Sequence, residues 1–490
     1  LALTLTLDFN QMKKRYINLV LAAALTLSAT SCKKDLTDVN QNPNASQNAQ
    51  PDYLLTGATK AVVDTYWGTS NNMDAALLFV QHWAKIQYTD PDRYIYANTA
   101  FNDLWNIGYS RGVVNYNQII KLADAQANPN YKGVALVLRS WVFTLLTDAF
   151  GDVPYQQASN IDQYLTPAYD PQQNVYDAIL EDLKTAQASL STSGKAISGD
   201  IIYNNNIALW KKFANSLRLR VALRIADRDA TKTKQVLTDI QAEGSGYISA
   251  NSEIAQLIYQ NSPNQNPISN LFDTRDDYRI SKTVVDRLFA LNDPRLPIYA
   301  APTQDATPQT YVGIPNGLLV GDASNLGFTK TSKPGTYFRT PNAPAVIMSY
   351  AEVLFDRAEA AARGYTNESA ADLYNQAVQA SLTQYGINST TAVTYANSAA
   401  VKYDASNYKK SIGEQKWIAL FGQGLEAFAE WRRLDYPQLK PAVAGSLNGK
   451  MPLRFIYPGT EQSLNGTNYK AAVSRQGADL LTTKLWFDVN

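Results

Sequence analysis

The stretch KGVALVLRSWVFTLLTDAFGDVPY, residues 132–155, sets the fold class. Val134, Val137, Leu138, Trp141, Val142, Leu145 and Ala149 recur at i, i+3, i+4, i+7, i+8, i+11 and i+15, the spacing that lines one face of an α-helix. Gly151 then supplies a C′ glycine and Pro154 a residue that cannot continue the helix. Further on, Asp170-Pro171-Gln172-Gln173 reads as an N-cap, a proline at the first helical position and a capping-box Gln. Behind it Tyr176, Ile179, Leu180, Leu183, Ala186 and Leu190 form the buried face of a second helix.

The same periodicity predicts helices over 54–66, 74–86, 104–123, 209–226, 350–363, 371–385 and 414–434, while strand-like alternation is short and scattered. Gly364 and Gly386 end two consecutive helices joined by a short linker, the pattern of an αα-hairpin. Several such hairpins without a strict repeat suggest tetratricopeptide-like packing with large insertions. Residues 256–344 are dense in Asn, Asp, Pro, Gly and Thr, and read as an exposed, loop-rich insertion on a mostly α scaffold.

The start of the chain reads as a targeting segment. Met12-Lys13-Lys14-Arg15 is a short cationic start, Ile17 to Ala29 is an apolar run too short to span a bilayer, and Ala29-Thr30-Ser31 precedes Cys32. Cys32 is the one cysteine of the chain, placed where a bacterial lipoprotein is cut and lipidated. Ala29 stands where Leu is commoner, and an ordinary signal peptide with a coincidental cysteine is the other reading. The expected organisation is upstream residues and signal over 1–31, with Leu1 to Gln11 preceding the start methionine. A lipidated, Asn- and Gln-rich tether follows over 32–52, then one helical domain over 53–490.

Composition narrows the function. Of 44 basic and 43 acidic residues, loss of Lys13, Lys14, Arg15 and Asp8 with the signal leaves 41 against 42. A neutral chain lacks the clustered basic face that nucleic acid demands. With one His, no second Cys, and neither a P-loop nor a dinucleotide fingerprint, the usual zinc sites, a Cys nucleophile and nucleotide cofactors are excluded, so no metal and no cofactor are expected. His82 lies on a predicted helix with no nucleophile elbow near it and reads as structural. Thirty Tyr and eight Trp supply surfaces that stack on sugars or fill the core.

Taken together, the chain resembles the SusD/RagB-like outer-membrane lipoproteins, and within them the SusD-like subfamily. The resemblance is carried by Cys32-Lys33-Lys34-Asp35-Leu36 with Asn40-Gln41-Asn42-Pro43-Asn44, and by Leu138-Arg139-Ser140-Trp141 through Asp148-Ala149-Phe150-Gly151-Asp152-Val153-Pro154-Tyr155. Tyr169-Asp170-Pro171-Gln172, Asn215-Ser216-Leu217-Arg218-Leu219-Arg220 and Asn292-Asp293-Pro294-Arg295-Leu296-Pro297 continue it. Ser349-Tyr350-Ala351-Glu352, Ala358-Glu359-Ala360, Gln415-Lys416-Trp417 and Glu430-Trp431-Arg432-Arg433 complete it. It implies a tetratricopeptide-like scaffold with a loop-rich face. It also implies a non-enzymatic role: capture of oligosaccharide or peptide at the cell surface, and delivery to a SusC-like TonB-dependent transporter as its lipid-anchored outer-membrane partner. The motifs are those of the scaffold, so no ligand contact follows from them.

Candidate ligand contacts come from the residues themselves. Tyr66-Trp67-Gly68-Thr69-Ser70-Asn71-Asn72 ends a predicted helix with two aromatics, and its amides can pair with sugar hydroxyls. Tyr88, Arg93 and Tyr94 follow one helix later, and Tyr278 is expected to join them from the insertion. The alternative is that these rings pack the helix ends. Glu352, Asp356 and Glu359 share one helical face. A carboxylate pair there would suit a glycan-active enzyme, but nearby Arg357, Arg363, Arg432 and Arg433 favour an internal ion-pair network. Arg220, Arg224 and Arg228 read as a charged helix face, and Asp276 and Asp277 are two oxygen ligands where a hard cation needs more. A pure protein-interaction scaffold stays open as a further alternative.

Overall fold

The computed structural model describes residues 12–14, 16, 49–160, 163–305 and 310–490. Cys32 and the expected cleavage junction lie outside the described residues. The chain divides into two units, Leu1–Ala49 and Gln50–Asn490, and the second holds the helical scaffold.

The scaffold is helical because amphipathic segments pair face to face. Helix α1, Pro51–Tyr66, buries Leu55, Val62, Val63 and Tyr66; α2, Val114–Ala125, and α3, Pro129–Phe150, pack on it. By length and hydropathy α3 would cross a membrane, yet 94% of its most apolar window is buried in the protein, which makes it a core helix. It stops at Gly151, whose φ of +89° and close approach to Gln476 leave no room for a Cβ. The helices α4, Gln172–Ser189, α5, Ile207–Arg224, and α6, Ala230–Glu243, continue the stack. After α7, Lys282–Ala290, the hairpin α8, Tyr350–Ala362, and α9, Ala370–Thr383, turns at Gly364, whose φ is +69°. Then come α10, Ser389–Ala396, α11, Tyr408–Ala419, and α12, Gly424–Leu434, with a further helix, Gly466–Gln476, near the end of the chain. The pairs α3/α4 and α8/α9 share the most extensive interfaces. Strands are few among the described residues: β1, Trp83–Lys85, β2, Ala255–Ile258, β3, Tyr278–Ile280, and β4, Pro344–Met348, form two antiparallel pairs, β1–β3 and β2–β4.

Four expectations need correction. The predicted helix over 74–86 is a π-helical turn, Thr69–Ala76, and a short helix to Phe79; Gln81 then takes a φ of +56° and the chain enters β1. The helix predicted over 414–434 breaks between α11 and α12. There Gly422 adopts a φ of +90° against Trp67 and Phe338, and Asn72 bridges the gap by donating to the Gly422 carbonyl and accepting from the Gly424 N–H. Asp170 is not the cap of α4: it accepts from the N–H groups of Tyr155 and Gln156, while Asp152 takes the Gln172 N–H at 2.9 Å. The 256–344 insertion is only partly exposed, since Tyr278, Arg279, Ile280 and Arg295 are fully buried.

A buried ion network joins α5, α8, α11 and α12. Arg220 holds Glu352 at 2.6 Å, Arg433 holds Glu359 at 2.5 Å and Glu430 at 2.7 Å, and Lys416 binds both Asp356 and Glu430. Arg224 reaches Glu426, Glu430 and, from α3, Asp148. The network reading of the carboxylate face therefore holds, with different partners: of the four expected arginines only Arg363 and Arg433 take part. Arg357 pairs with Glu368, and Arg432 donates to the carbonyls of Phe428, Leu453 and Asp148. Arg220 and Arg224 are buried in this network, whereas Arg228 caps the Trp486 carbonyl at the surface. Burial by itself raises the carboxyls, yet Arg433, Lys416 and Arg224 hold Glu430 well below its ordinary range.

His82 is fully buried, between the rings of Trp417 and Phe421, with Nε2 3.0 Å from the Trp417 carbonyl. That nitrogen carries the proton and donates. Desolvation lowers the imidazole from 6.5 to about 3, against the smaller opposing effect of that hydrogen bond. The unfolded chain takes up the proton below pH 6.5 and the folded chain does not, so this contribution is complete above pH 6.5 and is lost as pH falls towards 3, by about 1.4 kcal/mol per unit. Imidazole NMR shifts of this single histidine should show no titration down to pH 4. A midpoint near 6 would contradict the assignment.

Candidate functional site

Eight residues were expected to meet a ligand, and the structure separates them. Tyr66 is 1% exposed and packs edge-on to Trp141. Trp67 is 3% exposed, with its indole N–H donating to the Val346 carbonyl at 3.1 Å. Asn71 is buried beside Asn72, whose amide is consumed by the α11–α12 break. Tyr94 is buried with its hydroxyl between Met451 and the Ala442 N–H. Tyr278 is buried in β3 and donates to Asp74 at 2.7 Å. Arg93 is half-buried and tied to the Ala444 carbonyl and Asp90. These six side chains other than Arg93 fill the core, because hundreds of residues of later chain close over the helix ends. Tyr88 alone stands clear, 63% exposed.

Tyr88 borders a cleft of about 560 Å³ between the 85–91 segment and the 274–277 segment of the insertion. The β1–β3 ladder brings the two together, with Lys85 opposite Tyr278. A φ of +52° at Tyr88 turns its ring outward from the end of β1. The cleft floor is an ion lattice. Lys85 is 1% exposed and reaches Asp74 at 2.7 Å and Asp277 at 2.8 Å, with its ammonium 4.2 Å from the centre of the Tyr278 ring. Arg275 grips Asp277 through two bonds of 2.9 and 2.7 Å, and its guanidinium lies 5.2 Å from the centre of the Tyr88 ring. Burial pushes Asp277 up, but Arg275 and Lys85 more than offset it and hold the carboxyl below its ordinary range. Gln87, Asp90, Pro91, Thr274 and Asp276 complete the wall.

Beneath the cleft Asp92 fixes the loop. It is fully buried and accepts from the N–H groups of Lys85 and Gly317 and from the Asn316 amide at 2.7 Å. Desolvation still raises it to about 6. The site thus offers one exposed ring held by a cation, with carboxylates and amides set around it on a braced floor. Such a surface binds by stacking and directed hydrogen bonds.

Asp276 is no cation ligand, since it binds Arg279 and Lys333, each at 2.9 Å. No group of three or more His, Cys, Asp or Glu placed to hold a metal occurs among the described residues. Glu352, Asp356 and Glu359 are closed to solvent within the ion network.

Residues 43–458 match the SusD-like family described as "Starch-binding associating with outer membrane". The chain belongs to the SusD-like family. It is similar to a solved chitin-binding protein, 29% identical over 90% of this chain and 100% of that one, with a TM-score of 0.81. A chitin-binding SusD homologue from Flavobacterium johnsoniae is 24% identical over 89% and 99%, at 0.80. A SusD homologue from Bacteroides thetaiotaomicron is 23% identical over 90% and 100%, at 0.79. At those identities the last two show the shared fold. No curated protein matches the chain. The mostly helical scaffold is the SusD-like fold.

Proposed function

We propose that this SusD-like protein is a cell-surface lipoprotein, anchored in the outer membrane through Cys32. It binds oligosaccharide without catalysis and passes it to a TonB-dependent transporter. The observation that carries the reading is Tyr88, a ring 63% exposed on the wall of a cleft whose charged side chains are tied into ion pairs. The description of the family and the chitin-binding names of its structural relatives support a glycan as the ligand. The carboxylates that share a helical face are paired inside the core, which supports binding rather than hydrolysis.

A chitooligosaccharide is the first probe. Tyr88→Ala should weaken its binding by about thirtyfold, or about 2 kcal/mol, in titration calorimetry, the cost of losing a central aromatic anchor. The melting temperature should stay within a degree or so, because an exposed ring contributes little to the core. Unchanged affinity in that variant would move the site elsewhere on the loop-bearing face.

A further inference from the structure

A second, larger groove lies away from the Tyr88 cleft. Three adjoining hollows of about 650, 410 and 510 Å³ run along α7, α10 and α11. The first and second share Arg287, Lys410 and Glu414, and the second and third share Leu291 and Ala400, so the three lie end to end. The Arg287–Glu414 ion pair bridges α7 to α11 and forms a saddle between the first two. At one end stands Tyr436, half-buried, with no hydrogen-bond partner for its hydroxyl among the described residues. Gly413 makes this arrangement possible: a Cβ there would lie 2.8 Å from Cβ of Tyr436. The far end is walled by the hydroxyls of Thr390, Thr391 and Thr394.

The charges of this groove are unbalanced in a specific way. Its lining holds four basic residues, Arg287, Lys402, Lys410 and Lys440, and three acidic ones, Asp286, Asp404 and Glu414. Two of the acids are already committed, Glu414 to Arg287 and Asp286 to Lys282, which lies outside the lining. Asp404 spends one oxygen on the Ser406 N–H and hydroxyl, and its charge acts on Lys410. Lys402, Lys410 and Lys440 are exposed and make no ion pair among the described residues. Three lysines are thus spread along an elongated trough that has an aromatic face at one end and hydroxyls at the other.

We infer that this groove binds a linear anionic oligosaccharide, a glycan bearing carboxylates along its length. One sugar ring stacks on Tyr436, and Lys440, Lys410 and Lys402 meet successive carboxylates. Length argues for a chain rather than a single sugar. Three exposed lysines outside any ion pair, against the single acid Asp404, argue for negative charge, and the ring and threonine hydroxyls for a polyhydroxylated backbone. The groove is independent of the Tyr88 cleft, so the protein would hold two chemically different stretches of glycan.

The test uses oligogalacturonate as the probe, with the Tyr88→Ala variant as the background that silences the first cleft. Oligogalacturonate should bind Tyr88→Ala as it binds the unaltered protein, and its affinity should fall steeply with salt. The triple variant Lys402→Gln, Lys410→Gln, Lys440→Gln should lose at least tenfold in affinity, and Tyr436→Ala a similar factor, with unchanged melting temperatures. Absence of oligogalacturonate binding overturns the inference. So does binding indifferent to both salt and the lysines, or tighter binding of oligoglutamate, which would make an acidic peptide the occupant. Loss of chitooligosaccharide binding in Tyr88→Ala is read separately and bears only on the first cleft.

Discussion

Lys416→Met should destabilise the protein by about 3–5 kcal/mol, the usual cost of stripping one partner from a buried ion pair. Lys416 is 1% exposed and, among the described residues, is the one cation bonded to Asp356; Glu430, its other partner, keeps Arg433 and Arg224. Burial already raises Asp356 above its ordinary value, with Lys416 the chief restraint on that rise. Without the ammonium the carboxyl must either fold as a bare buried charge or take up a proton. A carboxyl whose folded value is raised has its stability intact below the unfolded value of 3.8 and loses it as pH rises. The variant should therefore be more damaged at pH 8 than at pH 5, as measured by denaturant unfolding at both. Adding Asp356→Leu should recover most of the loss, because a pair replaced by apolar groups is close to neutral. Equal damage at both pH values, or no rescue, would show that the methylene packing of Lys416 matters more than its charge.

Trp67→Ala should cost a comparable 3–5 kcal/mol, as large aromatic truncations in cores do. The indole seals the junction where α11 breaks into α12. A Cβ on Gly422 would lie 3.1 Å from its ring, and its N–H satisfies the Val346 carbonyl of β4. Truncation leaves a cavity at the break and an unpaired buried carbonyl. Thermal and denaturant unfolding should both report the loss, while affinity per folded molecule for a chitooligosaccharide stays unchanged. A Trp67→Ala protein of normal stability and impaired binding would restore the reading of Trp67 as a ligand platform.

The contrast between Trp67 and Tyr88 marks the limit of reading a site from local sequence. Both are aromatics beside Gly, Asn or Asp at predicted helix ends, and on that pattern they are equivalent. One is 3% exposed and the other 63%. The difference is made by residues 338, 346 and 422, which return to cover Trp67, whereas the insertion approaches Tyr88 only from the side, through Arg275. Asn72 is a similar case. Its amide could have served a sugar, but its partners turned out to be Gly422 and Gly424, some 350 positions away.

By itself the sequence determined the helical scaffold, the hairpin of α8 and α9 with its glycine stops, and the buried role of the Glu352, Asp356 and Glu359 face. These are legible because helical periodicity and termination are short-range effects, written within a few turns of chain. Only the tertiary structure decided where α11 ends, which cation serves which buried carboxylate, that Tyr278 is core, and that Tyr88 borders a cleft. It alone assembled the second groove, where the 402–410 stretch and Lys440 meet Arg287 of α7. Those outcomes depend on which distant surfaces meet. Burial and pairing are properties of the meeting surfaces, and a helix-long window of sequence holds only one of them.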